Sequence, residues 1–187
     1  MVQTPCPACS RFILILERDR FSVTYQNFSA TDRMLVWPRG ISRAPAPSEV
    51  PVEFSEDYRE ACLVLADSSK ASAALSRRCL QHLLREKAGV TASDLSGEID
   101  EVLASKTLPS HLADGLDAVR VVGNFAAHPI KSTRTGEIVA VEVGEAEWNL
   151  DVIEGLYDFY FVGPEQLRKK RDDLNMKLGA AGKPPLK

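Results

Sequence analysis

Three residues of the segment Asp117–His128 have the chemistry to handle a phosphodiester. Arg120, Asn124 and His128 are spaced by four. On a helix each such step advances about 40° around the axis, so all three share one broad face. A guanidinium can hold a phosphate, and an imidazole titrates near neutral pH. RNA cleavage by a 2′-hydroxyl needs that combination of an acid–base group and a cation. In that assignment His128 is the general acid/base, Arg120 the phosphate clamp and Asn124 the orienter. The same spacing has a structural reading. Arg120 then pairs with Asp117 or with an acid on a neighbouring helix, and Asn124 and His128 finish the helix end.

A second basic group is Arg77, Arg78, His82 and Arg85. Arg78, His82 and Arg85 stand at i, i+4 and i+7, one helical face. Arg77, Arg78 and His82 are the candidates for nucleic-acid contact, and Arg85 is the better candidate for a solvated face. Near the start, Cys6-Pro7-Ala8-Cys9 is half of a zinc-ribbon knuckle. Structural zinc takes four ligands. Residues 10–61 hold no further Cys and no His, so Cys6 and Cys9 are an incomplete metal site. They are either the relic of a ribbon or a site completed by another subunit. No cofactor is expected on this chain alone. Cys62 and Cys79 have apolar neighbours and read as small core residues.

The elements that must position these groups follow from pattern. Phe12–Leu16, Phe21–Tyr25 and Met34–Trp37 read as short strands, with Arg18-Asp19-Arg20 as a turn. Four prolines between positions 38 and 51 make an extended linker. Beyond Phe54 the pattern is helical. Ser55 is the expected N-cap of a helix to about Asp67. A second helix runs from about Ser69 to Lys87, with Gly89 as its stop. A third covers about Asp94–Ser105, and a fourth opens at Pro109 and ends near His128. The β-branched run Ile138–Val143 after Thr135-Gly136 predicts a short hairpin. A fifth helix covers about Glu145–Phe161 with Trp148, Val152, Leu156, Phe159 and Tyr160 inward. Gly163-Pro164 should break it before a charged sixth helix to about Leu178. Residues Gly179–Lys187 read as a loose tail.

Composition sets limits on function. The chain has 187 residues, 44% of them hydrophobic, and a formal net charge of -3. Full disorder and a histone-like basic coat are therefore excluded. The charge is uneven, because residues 164–187 alone carry +4. Leu167, Arg171, Leu174 and Leu178 recur there at 4-3-4 spacing, a seam suited to a partner helix. Its bland alternative is a solvated helix on its own domain. The start lacks a basic segment followed by an apolar run, so no secretory signal is expected. No apolar stretch approaches the ~20 residues of a membrane span. A cytoplasmic protein with reduced cysteines is expected. No Walker-type, Rossmann-type or paired-His metalloprotease pattern occurs.

Several motifs in order resemble a known family. They are the Cys-x-x-Cys start, Trp37-Pro38, Asp57-Tyr58-x-Glu60-Ala61, Ala74-Leu75-Ser76-Arg77-Arg78-Cys79-Leu80, Leu108-Pro109, and Arg120-x-x-Gly123-Asn124-x-x-Ala127-His128. Over about residues 50–163 the chain resembles the domain-of-unknown-function family 4145, itself similar to the HEPN superfamily of helical domains. The resemblance implies a mainly α fold: a HEPN-like bundle with a small β-rich N-terminal subdomain and a short β-hairpin insertion. The residue pattern divides the chain into 1–37 (ribbon-like), 38–54 (linker), 55–163 (helical domain) and 164–187 (terminal helix and tail). The resemblance implies RNA as a partner, either bound or cleaved without metal, in defence against foreign nucleic acid. It also implies a homodimer with the Arg and His motifs at a shared cleft. Asn124 and His128 match the polar and His elements of the HEPN motif, whereas Arg120 lies eight residues before His128, farther than that motif usually places its Arg. A non-enzymatic scaffold in a larger complex is the alternative.

Overall fold

In a computed structural model the chain divides into two units, Met1–Ser42 and Arg43–Lys187. The structure describes residues 2–7, 9–22, 27–37, 40–41, 43–127 and 143–186. His128 and the expected hairpin up to residue 142 lie outside them, while Val143, expected to close that hairpin, opens a helix instead.

The first unit is a three-stranded antiparallel sheet in the order β1 (Val2–Pro5), β2 (Phe12–Ser22), β3 (Asn27–Trp37). Two expectations are corrected. No turn forms at Arg18-Asp19-Arg20; β2 runs straight through it, with Arg18 opposite Asp32 and Arg20 opposite Ser29. That stretch has no Gly or Pro to reverse the chain, and a register shift between Arg18 and Asp19 absorbs the irregularity. The edge strand β1 was not expected. Pro5 ends it at an edge, where its missing N–H breaks no ladder.

The second unit is helical: α1 (Val52–Val64), α2 (Ser69–Leu83), α3 (Leu95–Ser105), α4 (Ser110–Ala127), α5 (Val143–Tyr157) and α6 (Gly163–Ala180). The fold is therefore mainly α with a small β subdomain. The helix α1 starts three residues before the expected cap. Ser55 lies inside its first turn and donates to Val52 O at 3.1 Å, while Pro51 O accepts from the amides of Phe54 and Ser55. The helices α2 and α3 begin as side-chain caps dictate. Ser68 Oγ accepts from the Ala71 amide at 3.2 Å, and Asp94 Oδ1 from the Gly97 amide at 3.0 Å.

Two π-helical turns depart from the simple pattern. Leu84–Ala88 extends α2, and Gly89 then stops it at φ 68°. Asp158–Val162 joins α5 to α6. Gly163-Pro164 is therefore no break. The Gly163 amide donates to Asp158 O, and a Cβ at Gly163 would stand 3.1 Å from that oxygen. Pro164 falls in the first turn of α6, where its missing N–H is harmless. The tail is tied back, since the Leu186 amide donates to Asn175 Oδ1 at 2.7 Å.

The core lies where α2 meets its neighbours. Cys79, Leu80, Leu83 and Leu84 are buried against Tyr58 and Ala61 of α1, Ile99 and Val102 of α3, Leu116 and Val119 of α4, and Leu150, Ile153 and Leu156 of α5. The buried face of α5 is rotated from the expected one. Trp148 is exposed and donates its indole N–H to Gly115 O at 3.1 Å. An indole that can cross-link two helices through its N–H gains by staying at the rim. No helix of the described residues is long and apolar enough to cross a membrane.

Candidate functional site

The α2 face read from spacing opens on a cleft of about 390 Å³, lined by Arg78, Gln81, His82, Arg85 and Glu86, with Asp57 of α1 opposite. Arg78 reaches to 3.9 Å from Asp57 and stays mostly in solvent. The His82 ring packs on Phe54, centroids 4.7 Å apart. Phe54 packs in turn on Phe161, whose ring carries Lys87 Nζ at 4.8 Å. The imidazole therefore stands on an aromatic column anchored in both π-turns.

Arg85 is not simply solvated. Its Nε donates to Glu98 Oε1 at 2.5 Å, and Gln81 Nε2 donates to the same oxygen at 3.1 Å. Glu98, from the first turn of α3, is fully buried, and its Oε2 has no hydrogen-bond partner. A buried carboxylate thus fixes two side chains that line the cleft, while the guanidinium remains 47% exposed. Sequence reasoning missed Glu98. Its signal was present: an acid on the apolar stripe Leu95, Ile99, Val102.

Arg77 does not join this group. It points to α4, where Nη1 donates to Val119 O at 3.3 Å. Burial pulls its pKa below the ordinary arginine value. Arg120 lies on α4, and its Nε and Nη2 both donate to Asp117 Oδ1, at 2.9 and 2.6 Å. Its Nη1 is 3.4 Å from Asp100 Oδ1 on α3. Asp117's hydrogen bond and charge, with Asp100 behind, raise the Arg120 pKa. Both acids proposed by the structural reading are therefore in place. Asn124 shares the helix, one turn on, and nothing is described of its side chain. His128 lies outside the described residues.

Two further polar clusters were not read from the sequence. Arg43 ion-pairs with Glu154 at 2.8 Å and with Asp151, and Tyr58 donates its hydroxyl to Glu154. Burial pushes the Glu154 pKa up, but the Arg43 and Tyr58 hydrogen bonds outweigh it, and the net shift is down. Deeper, the Tyr157 hydroxyl donates to Phe54 O at 2.8 Å, and Cys79 Sγ lies 3.3 Å from that hydroxyl. Burial pushes the Cys79 thiol up to about 11.

In the first unit, Cys6 and Cys9 sit on the turn between β1 and β2. All four cysteines are thiols; Cys6 is half-buried, Cys9 exposed, and Cys62 and Cys79 buried. Among the described residues no group of three or more His, Cys, Asp or Glu is placed to hold a metal ion.

The family described as "Domain of unknown function (DUF4145)" matches residues 59–177. The match opens within α1 and extends past residue 163 into α6. No curated protein and no solved structure matches the chain. The matched segment contains α2 to α5 with both π-turns, the Arg78–His82–Arg85 face, Glu98 and Arg120, and it spans more than half of the sequence: the chain belongs to the DUF4145 family.

Proposed function

We propose that the helical unit is a HEPN-like, RNA-associated module that holds single-stranded RNA in the α2 cleft. The carrying observation is that Arg78, His82 and Arg85 line one concavity, with Arg85 set by a buried acid. Guanidinium groups and an aromatic-backed imidazole suit phosphates and unstacked bases. Asp57 and Glu86 on the rim suit ribose hydroxyls and base amino groups rather than phosphate. If the module also cleaves RNA, His128 is the acid/base, Arg120 the clamp and Asn124 the orienter, without metal. Arg120 must then exchange Asp117 and Asp100 for a phosphate. Such solvent-screened pairs are weak, so the exchange is inexpensive. A cytoplasmic role in defence against foreign nucleic acid fits this reading.

The test is anisotropy of a labelled single-stranded RNA over a salt series. Binding should tighten at low salt, and Arg78→Ala should flatten the salt slope by about 0.7. Absence of binding at micromolar protein and low salt refutes the proposal. Cleavage in EDTA that His128→Ala abolishes would separate enzyme from binder.

A second reading, a dimerising scaffold of a larger complex, is favoured by α6. None of its residues is buried, and Leu167, Leu174 and Met176 are exposed. A charge at Leu174 should then dissociate a homodimer, seen by sedimentation. A chain that is monomeric at high concentration removes this reading.

A further inference from the structure

We propose that Cys6 and Cys9 form half of a zinc site that closes across two copies of the chain, with one Zn²⁺ held by four thiolates on a two-fold axis. The first support is the turn itself. The Cys6 amide donates to Arg11 O at 2.7 Å, and the Ser10 amide donates to Cys6 O at 2.8 Å. Ser10 takes a left-handed backbone, φ 59°. The turn is closed at its base by Pro5 opposite Phe12. Two cysteines three apart on one hydrogen-bonded turn are the bidentate unit of thiolate zinc sites.

The second support is the ligand count. No described group supplies a third ligand beside the pair. The two remaining thiols, Cys62 and Cys79, are buried among the core residues of the helical unit. A soft thiolate pair leaves zinc two ligands short. A second copy offers the same pair by symmetry. Closing the site converts four thiols and Zn²⁺ into a tetrathiolate complex of charge -2 with release of four protons.

The third support is the state of the sheet. Of the residues of Met1–Ser42 whose burial is described, none is buried. A unit of this small size gains stability from a metal or a partner. It also has an apolar face to offer. Leu14 pairs with Trp37 and Leu16 with Met34, so these four share a face with Phe12. Phe12, Leu16, Met34 and Trp37 are 45–64% exposed. The face begins at the residue paired with Pro5, directly beside the knuckle. The copy that completes the zinc site is thereby placed to cover it.

The experiment uses the full chain, stripped by chelator and kept reduced by a phosphine. Zinc titration should saturate at about half an equivalent per chain. The mass by sedimentation should double relative to the stripped chain, and EDTA should reverse it. Co²⁺ in place of zinc should give the intense visible bands of a tetrahedral tetrathiolate. Cys6→Ser/Cys9→Ser should abolish all three responses and leave the helical circular dichroism intact. Trp37→Glu should keep the thiolates and weaken the zinc-linked association at least tenfold. Saturation at one zinc per chain with no change of mass overturns the proposal. So does a cobalt spectrum without four sulfurs, or no zinc response at all. None of these outcomes bears on RNA binding by the α2 cleft.

Discussion

Glu98 allows the sharpest test of the cleft. Its carboxylate is fully buried, one oxygen takes Arg85 and Gln81, and the other has no partner. Arg85→Ala leaves an ionised group in the interior with one neutral amide. Breaking a buried pair in this direction costs about 3–5 kcal/mol. The reverse cut differs, because the Arg85 side chain is 47% exposed and can return to water. Glu98→Gln should therefore cost only about 1–2 kcal/mol, mostly for an imperfectly satisfied amide. Replacing both partners, Arg85→Ala/Glu98→Gln, removes the charge with its counter-charge. That variant should cost no more than Glu98→Gln alone, about 1–2 kcal/mol.

Urea unfolding of the four proteins gives the cycle, provided the m-value is constant. The coupling energy should be about 3–5 kcal/mol, a large part of the 5–15 kcal/mol that a domain typically has. An Arg85→Ala variant within about 0.5 kcal/mol of the parent, or a strictly additive cycle, refutes the reasoning. Anisotropy supplies a second readout. Glu98→Gln lines the cleft with the same side chains but holds Arg85 less firmly, so RNA affinity should fall although no phosphate contact is deleted.

Three other outcomes are expected. Gly89 stops α2 with φ 68°, and a Cβ added there would meet nothing within 4 Å, so Gly89→Ala should cost the left-handed backbone alone, about 1–2 kcal/mol in urea unfolding; Lys106 sits at φ 53° after α3, and Lys106→Gly should be neutral or gain up to about 1 kcal/mol. The depressed Glu154 pKa contributes stability that is present above the ordinary carboxylate range and is lost as pH falls through the lowered value. Arg43→Ala should therefore flatten the acid side of a stability–pH curve, and an unchanged curve would show that the ion pair does not act. With its thiol pushed up to about 11, Cys79 should be about one part in a thousand thiolate at pH 8 and resist alkylation, whereas exposed Cys9 reacts; mass mapping of the labelled native chain checks this.

The sequence was readable wherever one local rule decided the outcome. Asp94 caps α3, Gly89 stops α2, and the period-3.6 stripes of α2 and α3 became buried faces. The Arg78, His82, Arg85 face was equally local, and it does line one cleft. It failed where a non-local term won. A 3.6-residue period has no place for the extra residue of a π-turn, so the α5–α6 junction read as a break. Arg85 looked solvated because its partner, Glu98, is thirteen residues away on another helix. Arg77 and Arg78 are neighbours in sequence, yet about 100° of helix separates them, and one faces Val119 O while the other faces the cleft.

The two units reach order by opposite routes, and that contrast bears on function. The helical unit buries an apolar face from each of α1 to α5 and then places a charged pair, Arg85 and Glu98, at the edge of that core. A stable frame can hold such a pair in a costly position, and the pair fixes the Arg85 guanidinium beside the cleft rather than adding much stability. The sheet unit shows no buried residue where its burial is described, and the DUF4145 match begins only at residue 59. Its long ladder, closed Cys6–Cys9 turn and exposed aromatic face are economical only if stability is borrowed from outside the chain. One prediction follows from the contrast. Stripping zinc should lower the protection of β2 and β3 amides from hydrogen exchange while leaving α2 to α5 unchanged. Equal loss in both units would mean that the sheet and the helices share one cooperative core, and would remove the argument for a metal-linked second copy.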